Sequence, residues 1–103
     1  MRAGTSQQCF AGSQEELNRT INTQPCVYCV DLAAARALEE AGIHPDAVAG
    51  FSLGEVAAMT FAGGFTDADG FSFVCYRAEC MDYAAQRIPS GMVAVLKLDN
   101  ETV

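Results

Sequence analysis

The sequence predicts an α/β fold, a parallel sheet with flanking helices, and three observations carry that reading. Gly50-Phe51-Ser52-Leu53-Gly54 spells G-x-S-x-G, the sharp strand-to-helix turn called a nucleophile elbow. The run 46–51 is short, largely apolar and preceded by the breaker pair His44-Pro45, which suits a buried strand. Met92-Val93-Ala94-Val95-Leu96-Lys97-Leu98 follows Pro89-Ser90-Gly91 and alternates enough to be a second strand. Helical periodicity fills the intervals between them.

Taken in order, Ser13-Gln14-Glu15-Glu16 is a capping box that opens a helical turn over 15–19. Residues 20–23 read as a connector. Pro25 suits a first helical position, and the helix it opens runs to about Ala41, where Gly42 ends it. Val27, Val30, Leu32, Ala35 and Leu38 give that helix an apolar face, with Arg36, Glu39 and Glu40 pointing outward. After the elbow, 53–62 carries Val56, Ala57, Met59, Thr60 and Phe61 and stops at the glycine cap Gly63-Gly64. Thr66-Asp67-Ala68-Asp69 starts a longer helix over 67–87, with Phe71, Val74, Cys75, Ala78, Met81 and Tyr83 as its apolar positions. Residues 99–102 look like the start of another helix. Two strands that are not neighbours in the chain do not close a sheet, so these elements read as a piece of a larger domain.

Composition narrows the function. The chain has 103 residues, half of them hydrophobic, which bounds it at one domain. No apolar run approaches the roughly 18 residues of a membrane span, and the N-terminus lacks the apolar core of a signal peptide. A net charge of −7, with only 6 basic residues scattered along the chain, argues against nucleic acid as a partner. Five cysteines without a secretion signal read as reduced thiols in a cytoplasmic protein. Cys26-Val27-Tyr28-Cys29 opens a helix instead of following a strand, and the only histidine is His44. No redox or metal site is expected, and the cysteines read as small buried side chains.

The elbow directs the chemistry. Its turn lifts the Ser52 hydroxyl clear, and a helix starting there aims unpaired N–H groups and a positive dipole end at any negative charge formed. An acyl carbonyl under attack develops such a charge, so the motif implies acyl transfer. Read alone, Arg77 is a solvated arginine on a helix face, and Gln24 reads as well as a helix N-cap.

Several segments together resemble the malonyl-coenzyme A:acyl-carrier-protein transacylases of fatty-acid and polyketide synthesis. They are the run from Cys9 to Thr20, Asn22-Thr23-Gln24-Pro25, Ala49-Gly50-Phe51-Ser52-Leu53-Gly54-Glu55, Ala62-Gly63-Gly64-Phe65, Arg77, and Gly91-Met92-Val93-Ala94-Val95-Leu96. The resemblance implies an α/β-hydrolase-like core over 1–91 and the start of an inserted ferredoxin-like subdomain over 92–103. It implies Ser52 as the nucleophile, Leu53 as an oxyanion-hole N–H, and Arg77 as the group that grips a malonyl carboxylate. Gln24 matches a glutamine near the active site, implied to bind substrate. Malonyl-coenzyme A is the implied substrate, with no cofactor, and acyl carrier protein the implied partner.

The chain also departs from that family. A G-Q-G-x-Q segment that supplies a second oxyanion N–H is missing, as is the downstream catalytic histidine. His44 precedes a proline on the side away from the elbow and does not replace it. Phe51 stands where many relatives have histidine, and the motif that separates malonyl from methylmalonyl enzymes is absent. The chain by itself is therefore expected to be inactive, with exposed sheet edges and apolar faces favouring self-association. A serine esterase or thioesterase built on the same elbow is the alternative.

Overall fold

The structure, a computed structural model, describes residues 4–102 as five helices: α1 (Thr5–Ala11), α2 (Gln14–Asn18), α3 (Thr20–Glu40), α4 (Gly54–Phe61) and α5 (Asp67–Arg87). No strand occurs among the described residues, which corrects the expected α/β sheet. Residues 46–51 and 92–98 are both irregular and fully or largely exposed. The reason is that a strand's N–H and C=O groups need a neighbouring strand, and these two segments do not pair with each other. A helix pairs its backbone within itself, so only the helical half of the expected architecture forms.

Sequence signals at helix ends act as read. Ser13 Oγ accepts from Glu16 N–H, and the Glu16 carboxylate accepts from Ser13 N–H at 2.9 Å, completing the capping box. The Ser13 N–H and the Ser13 hydroxyl, both donating to it, hold the Glu16 carboxyl below its ordinary pKa. Thr66 Oγ1 accepts from Asp69 N–H and opens α5. Helices α3 and α4 end alike. Gly42 and Gly63 take φ of 84° and 85°, and paired bonds from Ile43 to Leu38 and from Gly64 to Met59 close a Schellman turn at each.

Two helix readings are corrected. Helix α1 lies in a stretch with no predicted element, and 20–23 are helical, so Pro25 sits inside α3. Side chains of that first turn hold the preceding helix. Asn22 Nδ2 donates to the Glu16 carbonyl, and Thr23 Oγ1 donates toward the carbonyls of Leu17 and Arg19. A proline so near a helix start costs less than one in mid-helix, because few intrahelical bonds precede it.

The core gathers where α3, α4 and α5 meet: Tyr28, Leu32, Leu53, Val56, Ala57, Phe71 and Val74. On α3 the packed stripe is Gln24, Tyr28 and Leu32, spaced i, i+4, i+8, and Val27, Val30 and Leu38 of the expected face are exposed. On α5 the matching stripe is Gly70, Val74 and Ala78. These are small residues, and they let α3 come close enough to seat the Tyr28 ring. The Tyr28 hydroxyl lies 3.1 Å from both Thr60 Oγ1 and the Asp67 carbonyl, while Thr60 donates to the Val56 carbonyl. A Cβ at position 70 would fall 2.3 Å from the Tyr28 hydroxyl and 2.4 Å from Thr60 Oγ1, so glycine is required there. Burial pushes the Tyr28 phenol above its ordinary pKa.

Arg36 ties the same junction from outside. It pairs with Glu39 at 3.2 Å and Asp67 at 3.3 Å and lies over the Phe61 ring. The five cysteines form no disulfide among the described residues. Cys26 is buried, Cys9, Cys29 and Cys75 are half-buried, and Cys80 is exposed, against the expectation that all would be core. Residues 88–98 run away from this core, and a turn closed by Thr102 N–H on Asp99 replaces the helix start expected at 99–102. A radius of gyration of 15.7 Å, against about 13 Å for a compact domain of this length, reflects those open segments.

Candidate active site

Ser52 has φ 54°, one of two non-glycine residues in the left-handed region among the described residues. A serine held there stores backbone strain, as a nucleophile elbow requires. The turn is built by Gly54 N–H bonding the Phe51 carbonyl at 2.9 Å and Glu55 N–H bonding the Ser52 carbonyl at 3.3 Å. Gly50 is needed because the chain doubles back on itself: a Cβ there would lie 2.1 Å from the Gly54 carbonyl group. Gly54 itself faces open space, so only the first glycine of the motif is required by contact among the described residues.

Helix α4 begins at Gly54, one residue later than expected, with Leu53 as its N-cap. Leu53 is buried by its side chain, and its N–H bonds no group among the described residues. That N–H and the helix dipole behind it lie beside the serine, where an oxyanion would form.

Ser52 opens on a cleft of about 760 Å³ between the elbow, α3 and α5, and Phe51 is 95% exposed at its edge. Arg77, on α5, reaches across this cleft. Its Nη2 donates to Ser52 Oγ at 3.2 Å, and its Nη1 donates to Gln24 Oε1 on α3. The guanidinium is half-buried and pairs with no carboxylate among the described residues, where both ion pairs belong to Arg36. Three residues far apart in sequence, Gln24, Ser52 and Arg77, thus meet at one point. His44 is exposed and does not line the cleft. No general base lies within hydrogen-bond reach of Ser52 among the described residues.

One member of the constellation was not singled out from sequence. Met81 lies one turn beyond Arg77 on α5, and its Sδ accepts from Gln24 Nε2 at 3.3 Å. The i, i+4 spacing from Arg77 was the available signal; its apolar character assigned it to the core instead. Among the described residues no group of histidine, cysteine and carboxylate side chains could hold a metal ion.

A strained serine at a helix start thus faces an arginine that pairs with no carboxylate among the described residues. The chain belongs to the acyl transferase domain family, whose profile matches residues 6–103. It is 43% identical over 94 residues to the mitochondrial malonyl-CoA-acyl carrier protein transacylase of Mus musculus, covering 85% of this chain and 24% of that protein. The malonyl CoA-acyl carrier protein transacylase of Synechocystis is 41% identical over 91 residues, covering 88% and 30%. That of Bacillus subtilis is 37% identical over 94 residues, covering 91% and 30%. The chain therefore spans between a quarter and a third of the length of these relatives. No solved structure matches it.

Proposed function

We propose that the protein transfers a malonyl group from coenzyme A to the phosphopantetheine thiol of acyl carrier protein. The observation that carries this reading is the Arg77 guanidinium, 3.2 Å from Ser52 Oγ and in no ion pair among the described residues. Ser52 Oγ attacks the thioester carbonyl and gives its proton to a general base, and coenzyme A leaves as the thiol after taking a proton. Leu53 N–H donates to the oxyanion of the tetrahedral intermediate. Arg77 holds the distal carboxylate of the malonyl group by a charge-assisted pair. The carrier thiol then attacks acyl-Ser52 and regenerates the serine hydroxyl. In this reading the chain contributes the nucleophile, one oxyanion donor and the carboxylate clamp, and no base lies within hydrogen-bond reach of Ser52 among the described residues.

The names of the relatives support the substrate pair. The clamp argues against a simple esterase, which has no use for a cation aimed at the acyl chain. A cytoplasmic location belongs to the same reading; the mouse and human relatives are named mitochondrial, and cell fractionation decides between the two. No helix among the described residues is long and apolar enough to cross a membrane.

Intact-mass measurement of the full-length protein after mixing with malonyl-coenzyme A tests the proposal. One malonyl adduct, mapped to Ser52 and absent in Ser52→Ala, is expected. An adduct that persists in Ser52→Ala would overturn it.

A further inference from the structure

We propose that Gln24 is a positioning residue for Arg77, and that Met81 sets which way the Gln24 amide faces. The inference rests on the reading of Arg77 as a carboxylate clamp and deepens it.

Gln24 is only 6% exposed, so its amide needs internal partners. It has one at each end. Oε1 accepts from Arg77 Nη1, and Nε2 donates to Met81 Sδ at 3.3 Å. A guanidinium can only donate and a thioether can only accept. The two partners therefore admit one amide orientation, with the oxygen toward Arg77. Reversing the amide would set N–H against N–H on one side and oxygen against sulfur on the other.

The effect falls on Arg77. Its long side chain has many rotamers, and solvent reaches part of it. Gln24 from α3 and Ser52 from the elbow hold the two Nη atoms from different elements, so the plane of the guanidinium is set before substrate arrives. Preorganisation of this kind keeps the ordering cost out of the binding step. The amide's neutrality matters as much as its reach. A glutamate at position 24 would keep an acceptor of the same length but would pair with the guanidinium charge. Glutamine orients Arg77 and leaves its charge for the ligand.

Three substitutions separate these roles. Gln24→Met keeps the length and removes both hydrogen bonds. Gln24→Glu keeps the acceptor and cancels the charge. Met81→Leu removes only the acceptor for Nε2, at a position already 40% exposed, so it preserves the fold if Gln24→Met does not. The first readout is the Arg77 side-chain N–H signals by NMR, without substrate. They should be sharp in the wild type and Gln24→Glu, averaged in Gln24→Met, and intermediate in Met81→Leu.

The second readout is the ratio of malonyl to acetyl loading on Ser52, from the two coenzyme A thioesters. It should fall about tenfold or more in both Gln24 variants, the size expected for loss of a bond to a charged group. Acetyl loading should hold, which a merely structural role would not allow. An unchanged ratio in both Gln24 variants, with Arg77 signals as sharp as wild type in Gln24→Met, would overturn the inference. A wild type that loads acetyl and malonyl equally would instead overturn the clamp reading, and the NMR comparison alone would then decide whether Gln24 orders Arg77.

Discussion

Residues 54–87 and residues 88–98 are both rich in apolar side chains, yet they come to opposite ends. The first stretch is two helices joined by a Schellman turn, and it buries Val56, Ala57, Phe71, Val74 and Ala78. The second has Ile88, Met92, Val93, Val95, Leu96 and Leu98, all between 48% and 95% exposed and in no regular element. Hydrophobicity does not separate them; where their backbone hydrogen bonds can go does. A helix finds its acceptors four residues back, so α4 and α5 satisfy their backbones without a neighbouring segment. An extended segment finds acceptors only on another chain segment, and 88–98 has none beside it.

The comparison can be broken by substitution. Tyr28→Ala removes the side chain that joins α3, α4 and α5, and should cost about 3–5 kcal/mol in a denaturant melt. A cost under 1 kcal/mol would mean the junction is not the core. Gly70→Ala pushes a methyl into the Tyr28 and Thr60 hydroxyls, about 1–3 kcal/mol of overpacking, partly offset by the roughly 1 kcal/mol that alanine gains over glycine in a helix. Net destabilisation is expected, and net stabilisation would show that the two hydroxyls do not sit over this helix. Leu96→Ala should change stability by no more than about 0.5 kcal/mol. A larger loss would show that 88–98 packs after all, and would erase the contrast.

The parts of this molecule legible in sequence are those fixed by local chemistry. The Ser13–Glu16 box, the Thr66 cap, the glycine ends of α3 and α4, and the elbow turn at Ser52 each involve residues within five positions of one another. What was misread depends on partners. The expected face of α3 held Leu32 but also the exposed Val27, Val30 and Leu38, because Gly70, Val74 and Ala78 of α5 select Gln24, Tyr28 and Leu32. The strands at 46–51 and 92–98 were inferred from apolar pattern without a neighbour to pair with. Helix α1 escaped notice because its seven residues carry little apolar periodicity, and Phe10, its largest apolar side chain, is 90% exposed. In the site, Ser52 announced itself by motif. Arg77 and Gln24 came only from resemblance, since no local pattern says that residues 53 apart will share a hydrogen bond.

The account stands on Arg77 acting on the acyl group through its carboxylate, close to Ser52 but not in its place. The most direct test compares malonyl and acetyl loading on Ser52 in wild type and Arg77→Ala. Losing one charge-assisted pair, about 1.5–3 kcal/mol, predicts a fall in malonyl loading of about 10–150-fold, with acetyl loading kept or raised. An equal fall for both acyl groups, or no fall for either, would contradict it.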